Sequence, residues 1–446
     1  MKTRQVPWSE RISYGLTETG FNLVFVLVST YLMYFYTDIF DIPVAAIAPL
    51  FFIGRIIDGV TDPFEGILID RTNTRWGKCR PFWLWFTIPF CVFGVLTFSA
   101  PELGLAGKII YMYVTYIGLN LFISLIALPT QAMLPSLTSD TQERTVINVI
   151  RTLLGAVGSL VISAATWPLV NALGQGNGRT GFFLTALLFA VIGAALLFNG
   201  WAHTKERVQP DGGKPIPVKK GLKSIMNLPW VLLLVMAIVA NLCTVLKQTS
   251  TPYYLQYYIG KPELMSALLT FPTIAVLIIL AFSPLIAKKM GKRNASLMGI
   301  VVAILGAVII IISEQNVFLL FLGTILNYVG LGIPAGLLGA MFADTVDYAE
   351  WKSGTRATGL AYSACSLGVK IGQGLGGALC ATILAIGHYV PNVEQTPEAL
   401  GAIKFNYAWV TLIASVLLFA LILLYKVDKL HPQIMSDLEQ RRQAEA

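Results

Sequence analysis

Charge is what this chain has least of. Only 13% of its 446 residues are Asp, Glu, Lys or Arg, while 55% are hydrophobic and mean hydropathy is +0.69. A soluble domain carries about 25% charge, so a water-soluble globule is excluded. The five cysteines, Cys79, Cys91, Cys243, Cys365 and Cys380, are scattered with no C-x-x-C, which removes a disulfide framework and a thiolate metal site. The three histidines, His203, His388 and His431, fall at expected helix ends or in tails. None is placed for a proton relay in mid-membrane, and neither histidines nor cysteines offer a membrane-embedded enzyme its nucleophile with a base or its metal cluster. No G-x-x-x-x-G-K-[ST] run occurs, which argues against an ATP-driven pump and leaves another gradient, or none, as the energy source. The first apolar segment is too long for a signal-peptide core and no A-x-A site follows it, so it is expected to be retained.

What is present is a succession of apolar segments of about 20 residues or more, long enough to cross a ~30 Å hydrocarbon core as helices and far longer than the ~10-residue strands of a barrel. Twelve are expected, from 12–37 through 81–100 and 317–342 to 402–425, giving an all-α membrane protein. The Pro-, Gly- and Lys-rich connection QPDGGKPIPVKKGLK splits them into two six-helix bundles, 1–201 and 229–425, joined by a central loop at 202–228 and followed by a tail at 426–446. The basic, glycine-containing turns after the second and eighth spans echo each other, as parallel repeats do. With both termini and the central loop cytoplasmic, the outside retains only Lys108, Arg179, Lys261 and Lys404, so the positive-inside rule is satisfied. The net charge of +8 therefore reports topology and implies no nucleic-acid partner; the lipid bilayer is the expected surrounding.

Against this apolar background, the few charges inside spans carry the information. They are Arg55, Arg151, Lys247 and Lys370, opposed by Glu18, Asp58, Asp62 and Glu65. An ionised group at a helix centre costs about 2.5–3.5 kcal/mol, so such residues should face the bundle interior. Residues 55, 58, 62 and 65 step by three, four and three, placing them on one helical stripe, with Pro63 beside the acids as a candidate kink. Two neighbouring carboxylates cannot both ionise cheaply without a positive partner. A bound H⁺ or Na⁺ would serve, and hydroxyls at Thr61 and Ser124 would suit Na⁺, a hard ion wanting oxygen ligands. The alternative is that Arg55 and the acids pair to lock helices together, and for Glu65 this is the favoured reading. Lys247 could likewise pair with Glu18 or another acid. The tyrosines at 253, 254, 257 and 258 read as interfacial anchors.

Several stretches then resemble one family across nearly the whole chain: YGLTETGFN with YLMYFYTDIF, RIIDGVTDP with DRTNTRWGKCRPF, LPSLTSDTQER, ADTVDYAEWK, and AYSACSLGVKIG with YVPNVEQ. In register, these motifs resemble the glycoside-pentoside-hexuronide:cation symporters of the major facilitator superfamily. The resemblance implies two six-helix bundles around a central cavity and sugar uptake coupled to H⁺, Na⁺ or Li⁺, with no cofactor beyond the coupling ion. It places the cation site on Asp58, Asp62, Thr61 and Ser124, and coupling on Lys370, which would stabilise the aspartates when no cation is bound; Arg55, on the same stripe as the acids, is a further coupling candidate.

Sugar-contact candidates are Asn22, Glu18, Gln131, Arg151, Lys247 and Ser366. Galactoside-transporting members carry sugar-binding aspartates where this chain has Asn22 and Ala127, and packing tryptophans where it has Gln131 and Ala335. Losing those acids while keeping Arg151, Lys247 and Lys370 tilts the cavity positive, which raises an anionic sugar such as a uronide as a candidate against a neutral glycoside or pentoside. An uncoupled facilitator or a lipid transporter of the same fold are the alternatives. On the inner surface, Asp344, Asp347 and Glu350 could face Arg71, Arg75, Arg144 and Arg356 as a cytoplasmic gate. A functional monomer in the plasma (inner) membrane, with both termini cytoplasmic, is expected.

Overall fold

The computed structural model describes residues 6–208, 226–354 and 358–445. Twelve long helices follow one another: α1 (Trp8–Ile39), α2 (Val44–Arg71), α3 (Arg80–Leu96), α4 (Leu105–Leu137), α5 (Thr141–Gly174), α6 (Gly178–His203), α7 (Leu228–Ile259), α8 (Met265–Met290), α9 (Lys292–Ser313), α10 (Val317–Ser353), α11 (Thr358–Ile386) and α12 (Pro397–Leu424). An amphipathic helix, α13 (Val427–Glu445), ends the described chain. Among the described residues, ten helices are long and apolar enough to cross a membrane as they stand. Helix α3 has only 17 residues, about 25 Å at 1.5 Å per residue. At the other extreme, α10 runs for 37 residues, so the helix continues well past the expected end of the tenth span.

Two compact units emerge: Met1–Gly212 with Lys261–Thr270 and His388–Gln395, and Gly213–Gly260 with Phe271–Gly387 and Thr396–Ala446. The connections after α7 and α11 thus belong, by their packing, to the first unit. In that unit α1 packs on α5 and α6, α3 on α4 and α6, and α2 on α4. One end is sealed by aromatics, with Phe98 stacked on Phe182 at 6.0 Å and Phe35 against Phe98 at 5.3 Å. The second unit is built on α9 against α10, α7 against α11, and α12 against α9 and α7, with α13 lying on α10. Its core runs from Trp230 and Met236 through Ile300, Ile333 and Met341 to Ile422, Ile434 and Leu438.

The basic turn after α2 shows how motif residues hold the first unit. Glu206 accepts backbone N–H groups from Lys78, Cys79 and Arg80 at 2.8, 2.7 and 3.1 Å, satisfying donors that the start of α3 would otherwise leave orphaned. Gly77 has φ +109°, and a Cβ there would lie 2.4 Å from the Glu206 carboxyl carbon. The glycine of TRWGK is therefore fixed both by backbone conformation and by the carboxylate seated on it. Arg80 also donates to the Trp201 carbonyl at 2.6 Å. Nearby, Glu10 accepts from both terminal nitrogens of Arg207 at 2.7 Å, which holds that guanidinium above its ordinary pKa, and Arg11 meets Glu143 at 2.6 Å.

Candidate functional site

Polar residues in the first unit meet where α1 crosses α5. The crossing is close because Gly155 has no side chain: a Cβ there would lie 2.6 Å from Glu18 Cγ and 3.1 Å from Asn22 Nδ2. Glu18 and Asn22, one helical turn apart, therefore lie flat across Gly155, and Asn22 donates to its carbonyl at 2.9 Å. Arg151 is one turn back on α5. Its Nη1 lies 3.7 Å from Glu18 Oε2, and its Nη2 donates to Asn148 Oδ1 at 3.0 Å. Among the described residues the buried Nε and Nη1 make no hydrogen bond. A guanidinium with two open donors beside a carboxylate 3.7 Å away presents a donor and acceptor set that alternating sugar hydroxyls can bridge. Behind it, Tyr14 donates to the Thr130 carbonyl at 2.7 Å, and Trp83 donates to Thr130 Oγ1 at 2.9 Å, which stiffens the wall.

The expected cation site lies on α2 and α4. Phe51 meets Tyr116 edge-on at 5.4 Å, and Gly54 faces Tyr116 and Asn120. The two helices therefore run side by side in the same direction, and one further turn of each brings position 58 level with Ser124. Ser124 is buried, while Thr61 and Asp62 are half-buried. The side chains of Arg55 and Asp58 lie outside the described residues, as does Arg356.

In the second unit, Lys247 on α7 is 2% exposed. It donates to Asn327 Oδ1 at 2.8 Å and lies 5.1 and 5.3 Å from the rings of Tyr328 and Tyr407. Asn327, fully buried, donates in turn to the Ala303 carbonyl at 2.9 Å. The acids considered as partners for Lys247 are not what hold it. Its enclosure by an amide and two rings also withdraws it from the surface a substrate would touch. Lys370 is half-buried on α11, and Ser366, one turn earlier, is exposed, as is Gln131 on α4.

Tyr253 and Tyr254 are not interfacial anchors: both are fully buried, and Tyr254 stacks on Tyr407 at 4.3 Å and Tyr258 at 4.9 Å. A π-helical turn at Tyr254–Ile259 accompanies the change, since an extra residue per turn rotates the following side chains inward. Among the gate candidates, Asp344 accepts from Lys292 at 2.7 Å through both oxygens, and His431 Nε2 lies 3.3 Å from Asp344 and 3.7 Å from Asp347. Arg144 donates to the Thr138 carbonyl at 2.7 Å, and Arg75 lies over the Trp76 ring at 4.5 Å. Arg71 is exposed in the last turn of α2, and Glu350 lies in the last turns of α10.

A second π-helical turn, Phe35–Ile39, buries Asp38 at the end of α1, where Oδ1 accepts from Tyr389 at 2.7 Å and the backbone carbonyl accepts from Asn392 at 2.7 Å. The motifs YTDIF and YVPNVEQ are thus two halves of one clasp in the first unit. Their shared polar residues were the only signal of it.

Comparison with known proteins agrees with this architecture. The chain is 44% identical to an isoprimeverose transporter of Lactiplantibacillus pentosus, over 99% of this chain and 93% of that one. It is 33% identical to a putative glycoside/cation symporter, YagG, of Escherichia coli K12, over 97% and 95%, and 27% identical to a glucuronide carrier protein homolog of the same organism, over 99% and 98%. Its fold matches a bacterial homolog of the human lysosomal transporter Spinster with TM-score 0.71 at 12% identity, over 97% and 99%. The nucleoside transporter NupG matches with TM-score 0.62 at 13% identity, over 94% and 100%. These relatives are transporters, in line with the motifs of the glycoside-pentoside-hexuronide group. A family model described as MFS/sugar transport protein matches residues 13–429, and the chain belongs to that family as a multi-pass membrane protein.

Proposed function

We propose that the protein is a symporter that carries a neutral glycoside across the plasma membrane, driven by H⁺ or Na⁺, with both termini cytoplasmic and the monomer as the working unit. The observation that carries the sugar reading is the Glu18, Asn22 and Arg151 cluster over Gly155, with two buried guanidinium donors making no hydrogen bond among the described residues. The same geometry favours a neutral over an anionic sugar. Arg151 already faces Glu18, and Lys247 is enclosed by Asn327 and two tyrosines, so neither is an open countercharge for a uronate. The similarity to an isoprimeverose transporter supports this choice. Asp58, Asp62, Thr61 and Ser124 form the cation site of the proposal, Arg55 and Lys370 its coupling residues, and alternating access its transport cycle.

The test is labelled uptake by cells expressing the protein, with neutral glycosides, pentosides and uronides as competitors, in the presence and absence of Na⁺ and with external pH recorded in weak buffer. Competition by neutral glycosides, accompanied by sugar-induced alkalinisation or by Na⁺-stimulated uptake, is expected. Competition by uronides alone would overturn the substrate assignment, and uptake indifferent to both ions would overturn the coupling.

A further inference from the structure

The second unit contains a cavity of about 590 Å³ whose lining includes none of the residues proposed for transport. It opens where the start of α7 meets the ends of α10 and α12 and the start of α13, the basic side of the unit, and Asn227, Leu228, Tyr348, Lys352, Leu424 and Lys426 line it. Its polar groups are nearly all donors. Asn227 caps α7 by accepting from Trp230 N at 3.0 Å, which leaves Nδ2 buried and with no acceptor among the described residues. Among the described residues neither Lys352 nor Lys426 has a carboxylate partner, and Lys352 rests 5.3 Å from the Tyr348 ring. Beside these donors the wall is apolar and open, with Leu228 70% and Leu424 58% exposed.

We infer that this cavity binds an acidic glycerophospholipid of the adjoining leaflet. Its phosphate would take the two ammonium groups and the Asn227 amide, and an acyl chain would lie along the leucines. A buried donor without an acceptor is costly, and a phosphate oxygen supplies one. Basic pockets at the cytoplasmic ends of transmembrane helices recognise anionic headgroups in this way. The sequence just before α7 carries Lys214, Lys219, Lys220 and Lys223, so its charge repeats that of the cavity and does not complement it. α13, whose apolar face packs on α10, lies beside the mouth as an interfacial helix would.

Native mass spectrometry of the full-length protein in neutral detergent, titrated with dioctanoyl phosphatidylglycerol, dioctanoyl phosphatidylcholine or inorganic phosphate, tests this. The phosphatidylglycerol is expected to bind tightest. The Lys352→Gln/Lys426→Gln double variant is expected to weaken it roughly 30-fold, at about a factor of five per lysine near a membrane surface. The exposed Lys288→Gln/Lys289→Gln pair, outside the cavity, should leave binding as it was. Equal binding of phosphatidylcholine would overturn the headgroup assignment, and equal binding of phosphate would make this a free-anion site. Parent-like binding by the first double variant, or an equal loss in the second, would remove the cavity from the explanation.

Discussion

At the scale of single residues, Lys247 poses the sharpest energetic problem. A lysine amine with 2% exposure has given up its water, and the Asn327 amide oxygen replaces one of the lost partners while two aromatic faces supply cation–π attraction. Removing the amide alone should therefore cost more than removing both members, because it leaves a buried donor unsatisfied. Asn327→Leu is expected to destabilise the protein by about 3 kcal/mol, and Lys247→Met added to it should restore most of the loss. Thermal unfolding of the purified single and double variants measures this, and strictly additive losses would count against the pairing. The sequence exposed Lys247, since a cation in an apolar run is conspicuous. It concealed Asn327, because an uncharged amide among leucines and glycines carries no such signal. Glu18 and Arg151 were both visible as lone charges, but their meeting depends on the closeness of two helices at Gly155, which no local pattern states.

Elements show the same division between type and partner. Hydropathy identified all twelve helices, because about 20 apolar residues leave little choice but a helix when backbone groups must be satisfied internally. The π-helical turns at Phe35–Ile39 and Tyr254–Ile259 escaped, since one extra residue in a turn leaves hydropathy unchanged while rotating Asp38 and Tyr254 into the interior. The inner carboxylate Asp344 was legible as a charge, but its docking on Lys292 and His431 belongs to the packing of α9, α10 and α13. The TRWGK turn is a case where motif and physics coincide. Gly77→Ala must hold a Cβ at φ +109° against the Glu206 carboxylate, and a loss of about 1–3 kcal/mol is expected. Gly66→Ala, in the interior of α2 with open space around its Cβ position, should be neutral or stabilising by up to about 1 kcal/mol. Comparing the two unfolding temperatures separates a motif glycine that the fold requires from one it merely tolerates.

For the whole molecule, the proposed coupling belongs to the transport cycle and not to any one bond. In the cation site proposed above, the carboxylates at positions 58 and 62 of α2 are the groups whose neutralisation by a cation would license the loaded carrier to reorient. An amide at position 62 resembles the neutralised form without needing the ion. Asp62→Asn should therefore still exchange labelled for unlabelled sugar across a membrane, while accumulation driven by an ion gradient falls to equilibrium with the outside concentration. Sugar counterflow and steady-state accumulation, measured in the same vesicles with and without an imposed H⁺ or Na⁺ gradient, distinguish the two properties. Retained counterflow with lost accumulation would place Asp62 in coupling. Loss of both would make it a structural residue of the α2 and α4 pair, and accumulation that still follows the gradient at the parent level would move the cation site elsewhere.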